Sequence, residues 1–531
     1  MDPGDLIERL HDPGAFPGAA GASVDVAQTH ASVVFLVGDT AWKAKKPVNL
    51  GFLDFSTPER RRADCERELR LNRRMVPQIY RGLAAVVREG DRLVVVRDPP
   101  PSAEVVEWLV EMRRLPAEGM LDRLIPAAGV TECHLHDFAR RLAEFHGRAE
   151  PGPDVRRHGA LDVVRARQDD CLRRLAEHAT RQAAGFDPPL DAAFVGALDR
   201  AARAWLDRIA PMLEARRHEG RVRDGHGDLQ AANACMVDGR IEAYDCLEFE
   251  DAYRCADQAM DPSFLAMDLD RFGRPDLAES FLAAYADAAG ERGIDELFRY
   301  FRMHYAIVRA MTESIRLHQP ETPAGDLAAI AAKVRTYALL AAGYAVEPAT
   351  VLVMGLPATG KSMLAAHLAR AMRATVHSSD LVRKASHGVA PTERADAAAY
   401  TASATDATYR ALAGMVAGAK RTVIVDASQR TRVQRAPLVS AATARDVPWL
   451  LVDVDADRHI IESRMARRAA DPARISDADL AMHDRLRTER EPPDETPPEH
   501  RMQLTSEDQP GWLDAAAAAV LTRMLAHPAP R

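Results

Sequence analysis

The chain of 531 residues is too long for a single hydrophobic core, and its length points to two domains. With 47% hydrophobic and 28% charged residues, the composition is that of a globular protein and excludes global disorder. A formal charge of −8 speaks against a dedicated nucleic-acid binder, whose surface is strongly basic, although clustered arginines can still build a local anion site.

The N-terminus, MDPGDLIERLHDPGAF, has neither the basic start nor the apolar stretch of a secretory signal. No uncharged apolar run approaches ~18 residues, so no membrane span is expected. Six cysteines without CxxC or Cys/His spacing read as reduced thiols, and the expected compartment is the cytoplasm.

In chain order, Val33 to Val37, the turn pair Gly38-Asp39 and Trp42 to Lys45 predict a hairpin. Pro58 to Met75, rich in Arg and Glu with apolar positions at helical spacing, predicts a helix that Pro77 ends. Leu93 to Val96 and Leu109 to Met112 read as further strands, giving a small sheet with one helix. Residues 130–340 read as mostly helical. One interruption stands out: Asp238-Gly239, between Ala234–Val237 and Arg240–Tyr244, is a strong hairpin signal. After Pro320 to Pro323 and a helix near 325–344, Val351 to Met354 is a buried strand. It opens an alternation of strands (375–377, 422–425, 449–454) with helices, which argues for a parallel α/β sheet. A proline- and acid-rich loop, Pro492 to Pro498, lies near the end.

The segment before the Asp-Gly hairpin, His226-Gly227-Asp228-Leu229-Gln230-Ala231-Ala232-Asn233, has D-x-x-x-x-N spacing, and Asp245 follows the hairpin. In protein-kinase-type chemistry the first Asp orients an acceptor hydroxyl, while the Asn and the second Asp hold Mg2+ against the phosphates. Hard oxygen ligands suit that ion. These residues resemble the aminoglycoside phosphotransferase family, with Gln230 where that family most often has His, and Cys246 where kinases usually carry an aromatic residue. The resemblance implies catalysis by Asp228, metal binding by Asn233 and Asp245, and a strand lysine for the phosphates. Lys43 is preferred over Lys45 at the same face, with Glu68 rather than Glu66 as its partner. Glu111 to Arg114 would connect the lobes and grip adenine, and Asp257 would brace the catalytic loop.

Gly355-Leu356-Pro357-Ala358-Thr359-Gly360-Lys361-Ser362 matches GxxxxGK[ST] at every fixed position, after a strand and before a helix expected over Met363 to Met372. In such a P-loop, backbone N–H groups wrap phosphate, Lys361 reaches the terminal phosphates and Ser362 ligates Mg2+. The following Ser378-Ser379-Asp380-Leu381-Val382-Arg383 resembles small P-loop kinases of the polynucleotide kinase, gluconate kinase and zeta-toxin-like group. That resemblance implies Asp380 as base and Arg383 as a substrate or phosphate clamp. Asp426, ending Val423-Ile424-Val425, stands at a Walker-B-like metal position. Arg464, Arg467 and Arg468 lie on an expected lid helix.

The whole resembles bacterial fusions of an aminoglycoside phosphotransferase-like unit with a P-loop kinase. It implies an α+β protein-kinase-like two-lobed domain at 1–340, then an α/β P-loop NTPase domain with a parallel sheet at 348–531. The expected function is a bifunctional kinase using ATP and Mg2+, with a small-molecule hydroxyl acceptor in the N-terminal half. Two rivals are a regulatory ATP-binding protein with an inactive half, and a nucleic-acid 5′-hydroxyl kinase in the C-terminal half. Asp380-x-x-Arg383 favours the latter; the acidic balance disfavours it.

Overall fold

The computed structural model describes residues 3–19, 22–29, 31–49, 54–183, 187–320, 322–469 and 479–526. The chain forms two compact units, Met1–Val164 with Ala210–Phe301, and Arg165–Ile209 with Arg302–Arg531.

The first unit opens with a six-stranded antiparallel sheet. Its strands are β1 (Val24–Gln28), β2 (Ser32–Val37), β3 (Thr40–Lys45), β4 (Tyr80–Glu89), β5 (Arg92–Val96) and β6 (Val105–Arg113), in the order β1-β2-β3-β6-β4-β5. The predicted hairpin forms with Val37 opposite Thr40, so Gly38 and Asp39 are its whole loop. One face buries Phe35, Trp42, Val86 and Leu109. The other packs on the helix Pro58–Asn72, started by Thr57, whose hydroxyl accepts from Arg60 N, and by Pro58 at the first position. This helix buries charge as well as carbon: Arg61, Asp64 and Glu68 all face inward. Buried charges demand partners, and those partners build the site below.

The helical part of the same unit carries two small ribbons. β7 (Val222–Asp224) pairs with β10 (Cys255–Asp257), and β8 (Ala234–Val237) with β9 (Arg240–Ala243), the last two joined by Asp238-Gly239 as expected. Beneath them runs the helix Met260–Arg271, whose residues Met260 to Asp270 are all buried.

The second unit holds a five-stranded sheet in which every pair is parallel: β11 (Thr350–Met354), β12 (Thr375–Ser378), β13 (Val423–Asp426), β14 (Trp449–Ala456) and β15 (Arg501–Ser506), in the order β12-β13-β11-β14-β15. The chain moves to opposite sides of β11, so the crevice at the carboxyl end of β11 is the topological switch point where α/β sheets bind ligands. The helix Leu327–Val346 belongs to this layer, packing on the helices Lys361–Met372 and Trp512–Leu525. A Cβ on Gly343 would lie 1.9 Å from Ala371 O, so that crossing requires glycine. Asp514 ties the three helices together, accepting from Arg335 Nε at 2.7 Å and lying 2.9 Å from His367 Nε2.

Candidate functional site

In the first unit, alternation along β3 sends Lys43 and Lys45 to the same face, under the helix that carries Glu68. Lys43 Nζ donates to Glu68 Oε1 at 2.9 Å and to Asp245 Oδ1 at 2.6 Å. Lys45 Nζ lies 2.9 Å from Asp64 Oδ2, 2.6 Å from Glu68 Oε2 and 2.5 Å from Glu248 Oε1. Asp64, Glu68 and Glu248 have the mutual spacing of a metal cluster, but the Lys45 ammonium already meets all three. Glu66, by contrast, pairs with Arg62 on the exposed face. Removal from water opposes ionisation of Asp245, yet the Lys43 charge outweighs it and holds the carboxyl below the usual range.

The catalytic-loop sequence folds around Asp228. Gln230 Nε2 reaches both carboxylate oxygens, at 3.1 and 3.0 Å, and Asn233 Nδ2 donates to Asp228 Oδ2 at 2.7 Å and to its carbonyl at 3.0 Å. With its amide protons on Asp228, Asn233 keeps its oxygen as the atom that could meet a cation. His226 accepts from Asp228 N through Nδ1 at 3.3 Å, so its proton sits on Nε2, 3.1 Å from Tyr244 O. Burial pushes the His226 pKa down, which fits this neutral ring.

Asp261 was not singled out by the sequence reading. It accepts from His226 N at 2.7 Å and from Gly227 N at 2.9 Å, and meets His146 Nε2 at 3.0 Å. It is the brace of the loop. Asp257, expected in that role, sits opposite Val222 at the far end of the ribbon and instead takes Arg216 at 2.6 and 2.9 Å in a buried cluster with Glu291. Nothing in the sequence separates the two aspartates; only the helix start at Met260 points Asp261 at the loop. The backbone N–H groups of Arg113 and Arg114 are bonded to Ile79 O and Asp39 O, so these two donors serve the sheet rather than an adenine.

In the second unit the P-loop spans β11 to the helix Lys361–Met372. Gly355 and Gly360 take φ of 154° and 95°, and Ala358 is held at φ 67°, a left-handed conformation unusual for a residue with a Cβ. Thr359 Oγ1 donates to Leu356 O at 2.9 Å, and Pro357 O meets His483 Nδ1 at 2.9 Å. Ser362 is exposed at the helix start. Lys361 Nζ lies 4.0 Å from Asp426 Oδ1, a buried oxygen with no hydrogen-bond partner among the described residues. An orphaned carboxylate oxygen beside the P-loop lysine suits a hard cation.

Asp380 is half-buried in the first turn of the helix Ser379–Ser386, whose N-cap is Ser378. Arg383, expected as a clamp, is buried in the same helix. It donates to Ala399 O at 3.0 Å and Thr405 Oγ1 at 3.2 Å, which holds the segment beyond Asp380. Arg464 reaches the loop at Ala358 O, 3.3 Å away, while also bonding Ser506 and Asp508; Arg467 pairs with Asp508. The Arg468 side chain lies outside the described residues. A further pair, Arg490 on Asp453 within β14, has no signal in the sequence.

Residues 351–493 match the family described as AAA domain, AAA_33. The uncharacterized protein Rv2004c of Mycobacterium tuberculosis is 36% identical over 364 residues, 68% of this chain and 68% of its own, and Mb2027c of Mycobacterium bovis matches with the same figures. Among solved structures, a gluconokinase from Sinorhizobium meliloti overlaps 34% of this chain and 94% of its own at 19% identity and a TM-score of 0.26. A choline/ethanolamine kinase family protein from Mesorhizobium loti overlaps 60% and 88% at 14% identity and a TM-score of 0.35. At such scores neither likeness carries an activity across.

Proposed function

The chain belongs to the same family as Rv2004c of Mycobacterium tuberculosis, and from its two phosphate-directed centres we propose that it is a bifunctional ATP-dependent kinase. Each half transfers the γ-phosphoryl group of ATP to a hydroxyl acceptor. The observation that carries this reading is the repetition of one arrangement on two unrelated folds. Lys43 stands on Asp245, and Lys361 lies 4.0 Å from Asp426, while Asp228 and Asp380 are the separate carboxylates we assign to the acceptors.

In the N-terminal half Lys43 meets the nucleotide phosphates, and Asp228, oriented by Gln230 and Asn233, takes the proton of the attacking hydroxyl. Asn233 and Asp245 would hold Mg2+. In the C-terminal half the loop Gly355–Ser362 wraps phosphate, Ser362 and Asp426 would hold the ion, and Asp380 receives the acceptor proton. Lys361 and Arg464 face the phosphoryl group there. Bound Mg2+ supplies neutralisation of the phosphate oxygens.

A small-molecule acceptor in the N-terminal half accords with the acidic chain. Arg383, the residue that favoured a nucleic-acid acceptor, is committed to Ala399 and Thr405. Among the described residues no helix is long and apolar enough to cross a membrane, and the six cysteines are free thiols, which supports a cytoplasmic setting. The test is an ADP-release screen of the full chain against alcohols, sugars, aminoglycosides and 5′-hydroxyl oligonucleotides. Two acceptor activities, one lost in Asp228→Asn alone and the other in Asp380→Asn alone, establish the reading. No acceptor-dependent ADP release in any class would refute it.

A further inference from the structure

Lys45 is the second lysine of β3 and has no place in the phosphate chemistry. Its ammonium donates to Glu248 Oε1 at 2.5 Å, and two further carboxylates, Glu68 and Asp64, lie at 2.6 and 2.9 Å as ion-pair partners. Its side chain is 2% exposed. Three carboxylates thus enclose this buried charge. Lys43, 13% exposed, uses two protons on Glu68 and Asp245.

Glu68 links the two lysines through different oxygens, Oε1 to Lys43 and Oε2 to Lys45. The second oxygen therefore decides where the first points. Glu248 carries the same restraint to the segment that bears Asp245. That segment is held at consecutive backbone positions: Asp245 N donates to Tyr80 OH at 3.1 Å, Cys246 N to Asn72 Oδ1 at 2.9 Å, and Leu247 N to His226 O at 3.0 Å. Asn72 in turn donates to Glu68 O at 3.0 Å. The helix Pro58–Asn72, the sheet and the Asp245 segment are thus fastened to one another around Lys45.

We propose that Lys45 and Glu248 are positioning residues of the N-terminal nucleotide site: their buried pair latches the Glu68 helix to the Asp245 segment and so presents Lys43 and Asp245 to Mg-ATP already in register. The proposal rests on the kinase reading of this half. Supporting partners one shell behind metal and phosphate ligands change affinity by about 10- to 100-fold when removed, and that is the effect expected here.

The experiment is hydrogen exchange of the full chain during titration with Mg2+ and the non-hydrolysable ATP analogue AMPPNP. Protection of residues 226–249 gives the midpoint of this site, and residues 355–364 give the P-loop as an internal control. In Glu248→Gln, which keeps size and folds without an uncompensated charge, the 226–249 midpoint should rise about 10-fold or more. Exchange of 245–249 should quicken in the unliganded protein, and the 355–364 midpoint should stay unchanged. Lys45→Met should shift the midpoint further than Lys45→Arg, which retains the charge. A purely structural pair would lower the melting temperature and leave the midpoint where it was. Wild-type midpoints in folded Glu248→Gln and Lys45→Met overturn the positioning role alone; failure of Mg-AMPPNP to protect 226–249 in the wild type overturns the kinase reading with it.

Discussion

Two carboxylates of the first unit differ in surroundings, and the proposed reading gives them different work. Asp228 is met by amide groups from Gln230 and Asn233, while Asp245 is met by a lysine charge. Asp228→Asn should leave Mg-ATP affinity nearly unchanged and lower acceptor turnover by about 10²- to 10⁴-fold. Asp245→Asn should weaken Mg-ATP binding itself, because a charged oxygen ligand is replaced by a neutral one. Calorimetry paired with ADP release separates the two, and equal loss of affinity in both variants would sink the assignment. Glu248 adds a pH signature. Burial outweighs the pull of the Lys45 charge and, with the neighbouring Glu68 carboxylate, pushes Glu248 up from 4.5 to about 7. An acid raised on folding costs stability wherever the unfolded chain ionises first, so its penalty grows from the lower value and is complete above the higher one. Glu248→Gln should therefore gain stability over wild type as pH rises from 4.5 through 7, as measured by denaturant unfolding of the first unit. A difference that shrinks over that range would show that Glu248 ionises normally.

At the scale of elements, what could be read in the sequence was set by local chemistry. Both hairpins follow from their turn pairs, Gly38-Asp39 and Asp238-Gly239, and four strands of the parallel sheet from their apolar runs. β4 escaped because Gly82 to Ala85 lacks β-branched residues, and it is a strand through its pairing with β5 and β6. β15, Arg-Met-Gln-Leu-Thr-Ser, has no apolar run because it is an edge strand with most residues half-buried or exposed. The Asp228 loop and the P-loop stand out in the sequence because their residues are consecutive. Asp261 and Glu248 do not, since their importance lies in partners that the fold brings from His226 and Lys45. The helix Leu327–Val346 offers a test of packing. In an open helix Gly→Ala stabilises by about 1 kcal/mol. At Gly343 the new Cβ meets Ala371 O at 1.9 Å, so Gly343→Ala should reverse the sign and destabilise the second unit by about 1–3 kcal/mol. Thermal unfolding with hydrogen exchange of 361–372 would show it; a stabilised variant would mean that the two helices part freely.

For the whole molecule, the proposed reading assigns each unit its own phosphate- and metal-directed residues, Lys43, Asn233 and Asp245 in one and Lys361, Ser362 and Asp426 in the other. The most direct test is the number of Mg-AMPPNP molecules bound per full-length chain, measured by calorimetry in wild type, Lys43→Met and Lys361→Ala. Two in the wild type and one in each variant is the expected result. A single site in the wild type, or loss of all binding in either variant, would contradict a chain with two independent phosphotransfer centres.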